Sequence, residues 1–147
     1  MTLVVPKAMA RSMKAHGCEG YPEEVCGVLL GRIRRPRGMT VRELVAVHRA
    51  GNLAQDRSSD RYLLDPVDYL NAEDEARNLG LEVIGVYHTH PDHPCAPSET
   101  DRQQAEQIWG ELESWSYVIM EVTADGVSSW RSWVLRGGRF SEEEIQS

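Results

Sequence analysis

The 147 residues predict an α+β fold, α/β in its layering, formed as one domain. Three observations carry this expectation. Strand-like pairs joined by short turns are interspersed with helical stretches, a mixture that packs helices on a sheet. The hydrophobic share is 41%, as in soluble globular proteins, and the length suffices for a core of its own. No run reaches the ~18 to 20 apolar residues of a membrane-spanning helix. Residues 1–147 are read as a single domain, without repeats or linkers.

The elements follow in order. Pro6 to His16 reads as a helix with Pro in its first turn and Gly17 at its end; Ala10, Met13 and Gly17 share a face. Cys26 to Ile33 is an apolar strand, Arg34 to Gly38 a basic hairpin tip, and Thr40 to His48 the partner strand, with His48 structural or exposed. Arg49 to Arg61 is the longest loop, and Tyr62 to Leu64 a short strand. Asp65-Pro66 opens a helix to about Asn78, stopped by Gly80; Val67, Leu70, Ala76 and Leu79 have the spacing to face a sheet. Leu81 to His90 (LEVIGVYHTH) is a buried strand ended by Pro91. Ser98 caps a further helix, SETDRQQAEQIW. Ser116 to Thr123 and Val127 to Leu135 form a hairpin around Ala124-Asp125-Gly126. Trp130 and Trp133, three apart, cannot share a face of a flat strand, so at least one belongs at an edge or interface. The tail from 137 to 147 is polar and is expected to fray or form a short helix.

Function enters with His88-Thr89-His90-Pro91 and Pro97-Ser98-Glu99-Thr100-Asp101. On a strand, His88 and His90 point to one face. Asp101 follows eleven residues after His90, in the first turn of a helix reached by a loop stiffened with prolines. Two imidazoles and a carboxylate are the ligand types of a catalytic zinc with one open position. Ser98-x-x-Asp101 also fits a capping box, which needs no metal. His93, in the same loop, is a surface or substrate-facing residue or a further ligand. Cys95 is a soft ligand type or simply a small, oxidisable loop residue. A zinc site benefits from a carboxylate base, and HExxH is absent. Glu23 and Glu24, at the entrance of the Cys26 strand, are the donors at hand; a site near the core could raise a carboxyl's pKa. Composition alone would leave both as solvated turn residues.

The pattern Pro22-x-Glu24-x-Cys26-Gly27-x-Leu29-x-Gly31, followed by His88-x-His90-Pro91 and Pro97-Ser98-x-x-Asp101, resembles the JAMM (MPN+) metalloprotease motif. The resemblance covers most of the chain and extends to Gly51-Asn52-Leu53-Ala54 and Tyr62-Leu63-Leu64-Asp65-Pro66 of the short bacterial members. It implies a curved mixed β-sheet flanked by helices, like that of the cytidine deaminases. It implies one Zn2+ per chain on His88, His90 and Asp101, Glu24 as general base, and Ser98 stabilising the oxyanion. Glu23 fills a variable position. The implied substrate is a ubiquitin-like or sulfur-carrier protein, cut after its C-terminal Gly-Gly.

Two other classes stay in view: a non-catalytic MPN-type interaction scaffold, and a RadC-like DNA-repair-associated relative. A net charge of −7 disfavours nucleic acid. No signal peptide is evident at the N-terminus. Cys18, Cys26 and Cys95 are odd in number without a C-x-x-C pair, which suggests reduced thiols in the cytoplasm. Pairing of two copies into a homodimer stays open.

Overall fold

A computed structural model of the chain describes residues 1–54, 62–105 and 115–147. Its elements are β1 (Thr2–Val4), α1 (Lys7–Gly20), β2 (Cys26–Arg34), β3 (Val41–Ala50), α2 (Pro66–Leu79), β4 (Glu82–Pro91), α3 (Glu99–Gln104), β5 (Ser116–Thr123), β6 (Gly126–Arg136) and β7 (Arg139–Gln146). The mixed sheet runs β1-β3-β2-β4-β5-β6-β7, and β1 pairs in parallel with both β3 and β7, so the sheet closes on itself.

Two apolar layers hold the helices to this sheet. On one side Met9, Ala10 and Met13 of α1 pack with Leu3, Leu29, Ile84, Tyr87 and Val118. On the other, Ala72 and Ala76 of α2 pack with Cys26, Val28, Leu30 and Val86. Successive residues of β2 thus feed opposite layers, as the two-residue period of a strand requires, and β4 does so on either side of a register shift at Ile84–Gly85. The expected mixture of a curved sheet and flanking helices is present; closure of the sheet was not anticipated.

Four local expectations change. The tail neither frays nor turns helical: Arg139–Gln146 is β7, pairing with β6 and β1. Its alternation is masked by glutamates, one of which, Glu143, points inward and is buried. Gly17 does not stop α1, which runs on to Gly20; it is a packing position, where a Cβ would lie 3.0 Å from Thr89 Cγ2. In α2, Val67, Leu70 and Leu79 are exposed, and only Ala76 of the expected four is buried. The inward face is Tyr69, Ala72 and Ala76, because alanines let the helix axis approach the sheet closely. The strand expected at Tyr62 to Leu64 is a single bridge, Asn52 to Leu64.

Asp65 and Gly80 behave as expected. The Asp65 carboxylate accepts from Val67 N at 2.9 Å, and Gly80 closes α2 at φ 69°. Trp130 and Trp133 part as their spacing requires: Trp130 lies under Lys14, and Trp133 reaches Cys95. Most of the loop expected over Arg49 to Arg61, and the end of the helix expected beyond Ala105, lie outside the described residues.

Candidate active site

β4 is flanked by β2, antiparallel, and β5, parallel, and its last turns are buried from Ile84 to Pro91. His88 and His90 therefore reach the sheet's edge from a rigid strand. Their Nε2 atoms stand 3.1 Å apart. Asp101, from the first turn of α3, places Oδ1 3.2 Å from His88 Nε2 and Oδ2 2.9 Å from His90 Nε2. Bonds of about 2.0–2.1 Å to a tetrahedral zinc put neighbouring ligand atoms about 3.3 Å apart. The three donors converge at nearly that spacing, and two imidazole nitrogens facing one carboxylate suit a shared cation. The residues present fit a metal.

Supporting bonds fix each donor. His90 Nδ1 lies 2.7 Å from the carbonyl of Pro94, which makes Nδ1 the donor and leaves the Nε2 lone pair for a ligand role. The capping box is also formed: Asp101 N donates to Ser98 Oγ at 3.0 Å, and Ser98 N donates to Asp101 Oδ2 at 2.9 Å. The cap and the ligand set are one arrangement, since the cap is what aims the carboxylate. The Tyr62 ring stacks on His88, with centroids 4.3 Å apart, and its carbonyl accepts from Gln104 of α3.

Strand register explains how Glu24 reaches a site more than sixty residues downstream. Cys26 pairs with His88 across the antiparallel β2–β4 ladder, and Thr89 N donates to Val25 O. Two residues before Cys26, Glu24 comes level with His90 on the same face. It is buried, and one carboxylate oxygen lies within 4.8 Å of ligand atoms of His88 and His90. Thr89 Oγ1 accepts from Val25 N at 2.9 Å, and Asn52 Nδ2 donates to Glu24 O at 3.0 Å. These two side chains together fix the Glu24–Val25 peptide, the backbone unit that follows the carboxylate-bearing residue. Gly27 permits the pairing, since the Tyr87 ring covers it at 2.2 Å from where a Cβ would sit.

Electrostatics follow from burial and proximity. Burial pushes His88 below the usual imidazole range. Burial opposes charge on His90 too, but the Asp101 carboxylate outweighs it and raises His90. Burial likewise disfavours the Asp101 anion, yet His88, His90 and the Ser98 amide hold it well below the usual carboxylate range. Burial raises the Cys26 thiol to about 12, so it stays a thiol, directed at Gly51 O.

A pocket of about 360 Å³ opens over these groups, lined by Glu24, His90, His93, Pro94, Ala96, Ser98 and Asp101. Of the five sequence-expected site residues, Glu24, His90, Ser98 and Asp101 line it, and His88 is buried against His90 and Asp101. His93 lines the pocket and stands apart from the ligand triangle. Cys95 turns away toward β6, with Sγ 3.3 Å from Ser129 Oγ. His48 pairs with Glu75 at 2.6 Å, remote from the site. Sequence reasoning missed Thr89, Asn52, Tyr62 and Gln104 as supports. Thr89's strand position was the available signal, because the residue between two ligands must face the opposite layer.

A family model described as prokaryotic homologs of the JAB domain (Prok-JAB) matches residues 6–135. The chain belongs to this family. The JAMM/MPN+ likeness of its motif is thereby accounted for. This Prok-JAB chain is 32% identical over 139 residues to a desampylase of Haloferax volcanii, covering 91% of the chain and 88% of the relative. It is 31% identical over 105 residues to a probable TtuB-protein conjugate cleaving protease of Thermus thermophilus, covering 71% and 64%. The solution structure of a Desulfitobacterium hafniense protein matches with a TM-score of 0.78 at 29% identity, covering 99% of this chain and 91% of that one.

Proposed function

We propose that this Prok-JAB domain is a zinc-dependent (iso)peptidase of the cytoplasm. It hydrolyses the amide bond after the C-terminal glycine of a ubiquitin-like or sulfur-carrier protein. The observation that carries this is the convergence of His88, His90 and Asp101 at tetrahedral spacing, with Glu24 beside them. The relatives named for cleaving conjugates support hydrolysis as the reaction and a ubiquitin-like protein as the substrate. Among the described residues no helix is long and apolar enough to cross a membrane.

His88, His90 and Asp101 would hold one Zn2+, which supplies Lewis acidity toward the scissile carbonyl and makes a water more acidic. Glu24 takes the proton from the attacking water and passes it to the leaving amine, a transfer that contributes about 10²–10⁴-fold. Ser98 Oγ accepts from Asp101 N, so its own hydrogen remains to donate to the developing oxyanion at the pocket mouth. One such bond can contribute ~3 kcal/mol. Leu53, Leu63, Val67 and Leu70 are exposed around the Asn52–Leu64 bridge and the start of α2. They offer an apolar face beside Glu24 for the body of a folded carrier.

The test is cleavage of a carrier protein carrying a short extension after its Gly-Gly end. Wild-type protein is expected to release the extension. Glu24→Ala and Asp101→Ala are each expected to lose at least about 10²-fold in rate. Full activity in both variants would sink the proposal.

A further inference from the structure

A second groove of about 470 Å³ adjoins the catalytic pocket and shares Ala96 and Ser98 with it. Its other walls are Glu99 and Arg102 of α3, Trp133 of β6, and Gly138, Arg139 and Phe140 at the β6–β7 turn. Gly137 and Gly138 both take positive φ, 55° and 75°, in a two-residue hairpin that pairs Arg136 with Arg139. Trp133 Nε1 donates to the Cys95 carbonyl at 3.1 Å and so clamps the loop between His90 and Ser98 to the groove wall.

Its two cations are placed differently. Arg102 is engaged by Glu99 through both Nε and Nη2. Among the described residues no ion pair ties Arg139, and it lines the groove. Arg136, its hairpin partner, reaches Met1 Sδ instead. Arg139, Phe140 and Trp133 thus line the same groove as Ser98.

We propose that this groove is the leaving-group subsite and that Arg139 recognises a carboxylate on the leaving group. The inference rests on the protease reading. A scissile amide has two sides. The acyl side of a Gly-Gly tail carries no side chains, so aromatic and guanidinium walls have nothing of it to read. The apolar surface around Leu53, Leu63, Val67 and Leu70 lies on the Glu24 side, where a carrier body would sit. The Arg139 groove lies beyond Ser98, where the leaving amine and its substituents emerge. A planar guanidinium matches a carboxylate in a bidentate pair. The preferred leaving group is therefore an amino acid or peptide whose own carboxylate lies close to the scissile nitrogen.

The probe is a ubiquitin-fold sulfur-carrier protein ending in Gly-Gly and extended by a single alanine, as the free acid and as the amide. A third form carries a C-terminal aspartic acid amide, which moves the carboxylate to a side chain. Wild-type protein is expected to cleave the alanine acid about tenfold faster in kcat/KM than the amide. Arg139→Ala is expected to close that ratio, and Arg136→Ala to keep it as a control for the hairpin's integrity. Preference for the aspartic acid amide over the alanine acid would reassign Arg139 to side-chain recognition and overturn the α-carboxylate part of the proposal. Equal cleavage of acid and amide by wild-type protein would overturn the subsite while leaving the protease reading intact. Hydrolysis of no form would remove both.

Discussion

The two imidazoles proposed as metal ligands feel burial and Asp101 in a different balance. His88 is kept neutral by burial, whereas His90 holds its proton more tightly because Asp101 faces it. A raised pKa means that the stability His90 contributes to the metal-free fold is present below its unfolded value near 6.5. It is lost as pH rises through the folded value. Zinc must displace that proton, so its binding has the opposite slope. We predict that zinc affinity rises between about pH 6 and about pH 8, with proton release on binding. Competition titrations at the two pH values check this; a flat affinity would contradict it. At this scale the sequence was most legible. His88, His90 and Asp101 were nameable from residue type and spacing, because metal chemistry restricts both, whereas Glu24 and Ser98 were nameable as site residues only through the resemblance of the whole motif. The supports Asn52, Tyr62 and Gln104 were not, because each acts through a contact 28 to 42 residues away in the chain or through a ring stack.

At the scale of elements, β2 and β4 form the working pair. Their register carries Glu24 to His90, and Gly27 under Tyr87 is what lets the strands lie so close. Gly27→Ala would drive the Tyr87 ring out of place and disturb its 2.7 Å bond to His16. We expect a loss of about 1–3 kcal/mol from such overpacking, read as a lower denaturant midpoint at unchanged slope. Wild-type stability in the variant would refute the role given to Gly27. Local punctuation was legible here, as Asp65 and Gly80 show, since caps depend on one or two residues. The packed face of α2 was not, because alanines at 72 and 76 carry little hydrophobic signal while the larger Val67, Leu70 and Leu79 face out.

For the whole molecule, closure depends on β7, which joins β6 to β1. Its buried Glu143 accepts from Ser116 Oγ of β5 and Ser132 Oγ of β6, and pairs with the buried Arg42 of β3 at 3.2 Å. Glu143→Ala would leave Arg42 buried without this partner. We expect a loss of about 3–5 kcal/mol, against less than about 1 kcal/mol for breaking the exposed Arg34–Glu43 pair with Glu43→Ala. Equal melting shifts in the two variants would contradict this. Closure was illegible in the sequence, because a tail of glutamates reads as solvated until the buried Glu143 meets a cation from β3. The proposed activity is zinc-dependent hydrolysis of the bond after a carrier's terminal glycine. Its most direct test is the intact mass of the products from a carrier–peptide fusion, with the protein metal-stripped and then given one equivalent of zinc. We predict no cleavage when stripped, and after zinc a carrier product ending at the second glycine. Cleavage by the stripped protein, or a cut at any other bond, would rule out zinc-dependent hydrolysis after the terminal glycine.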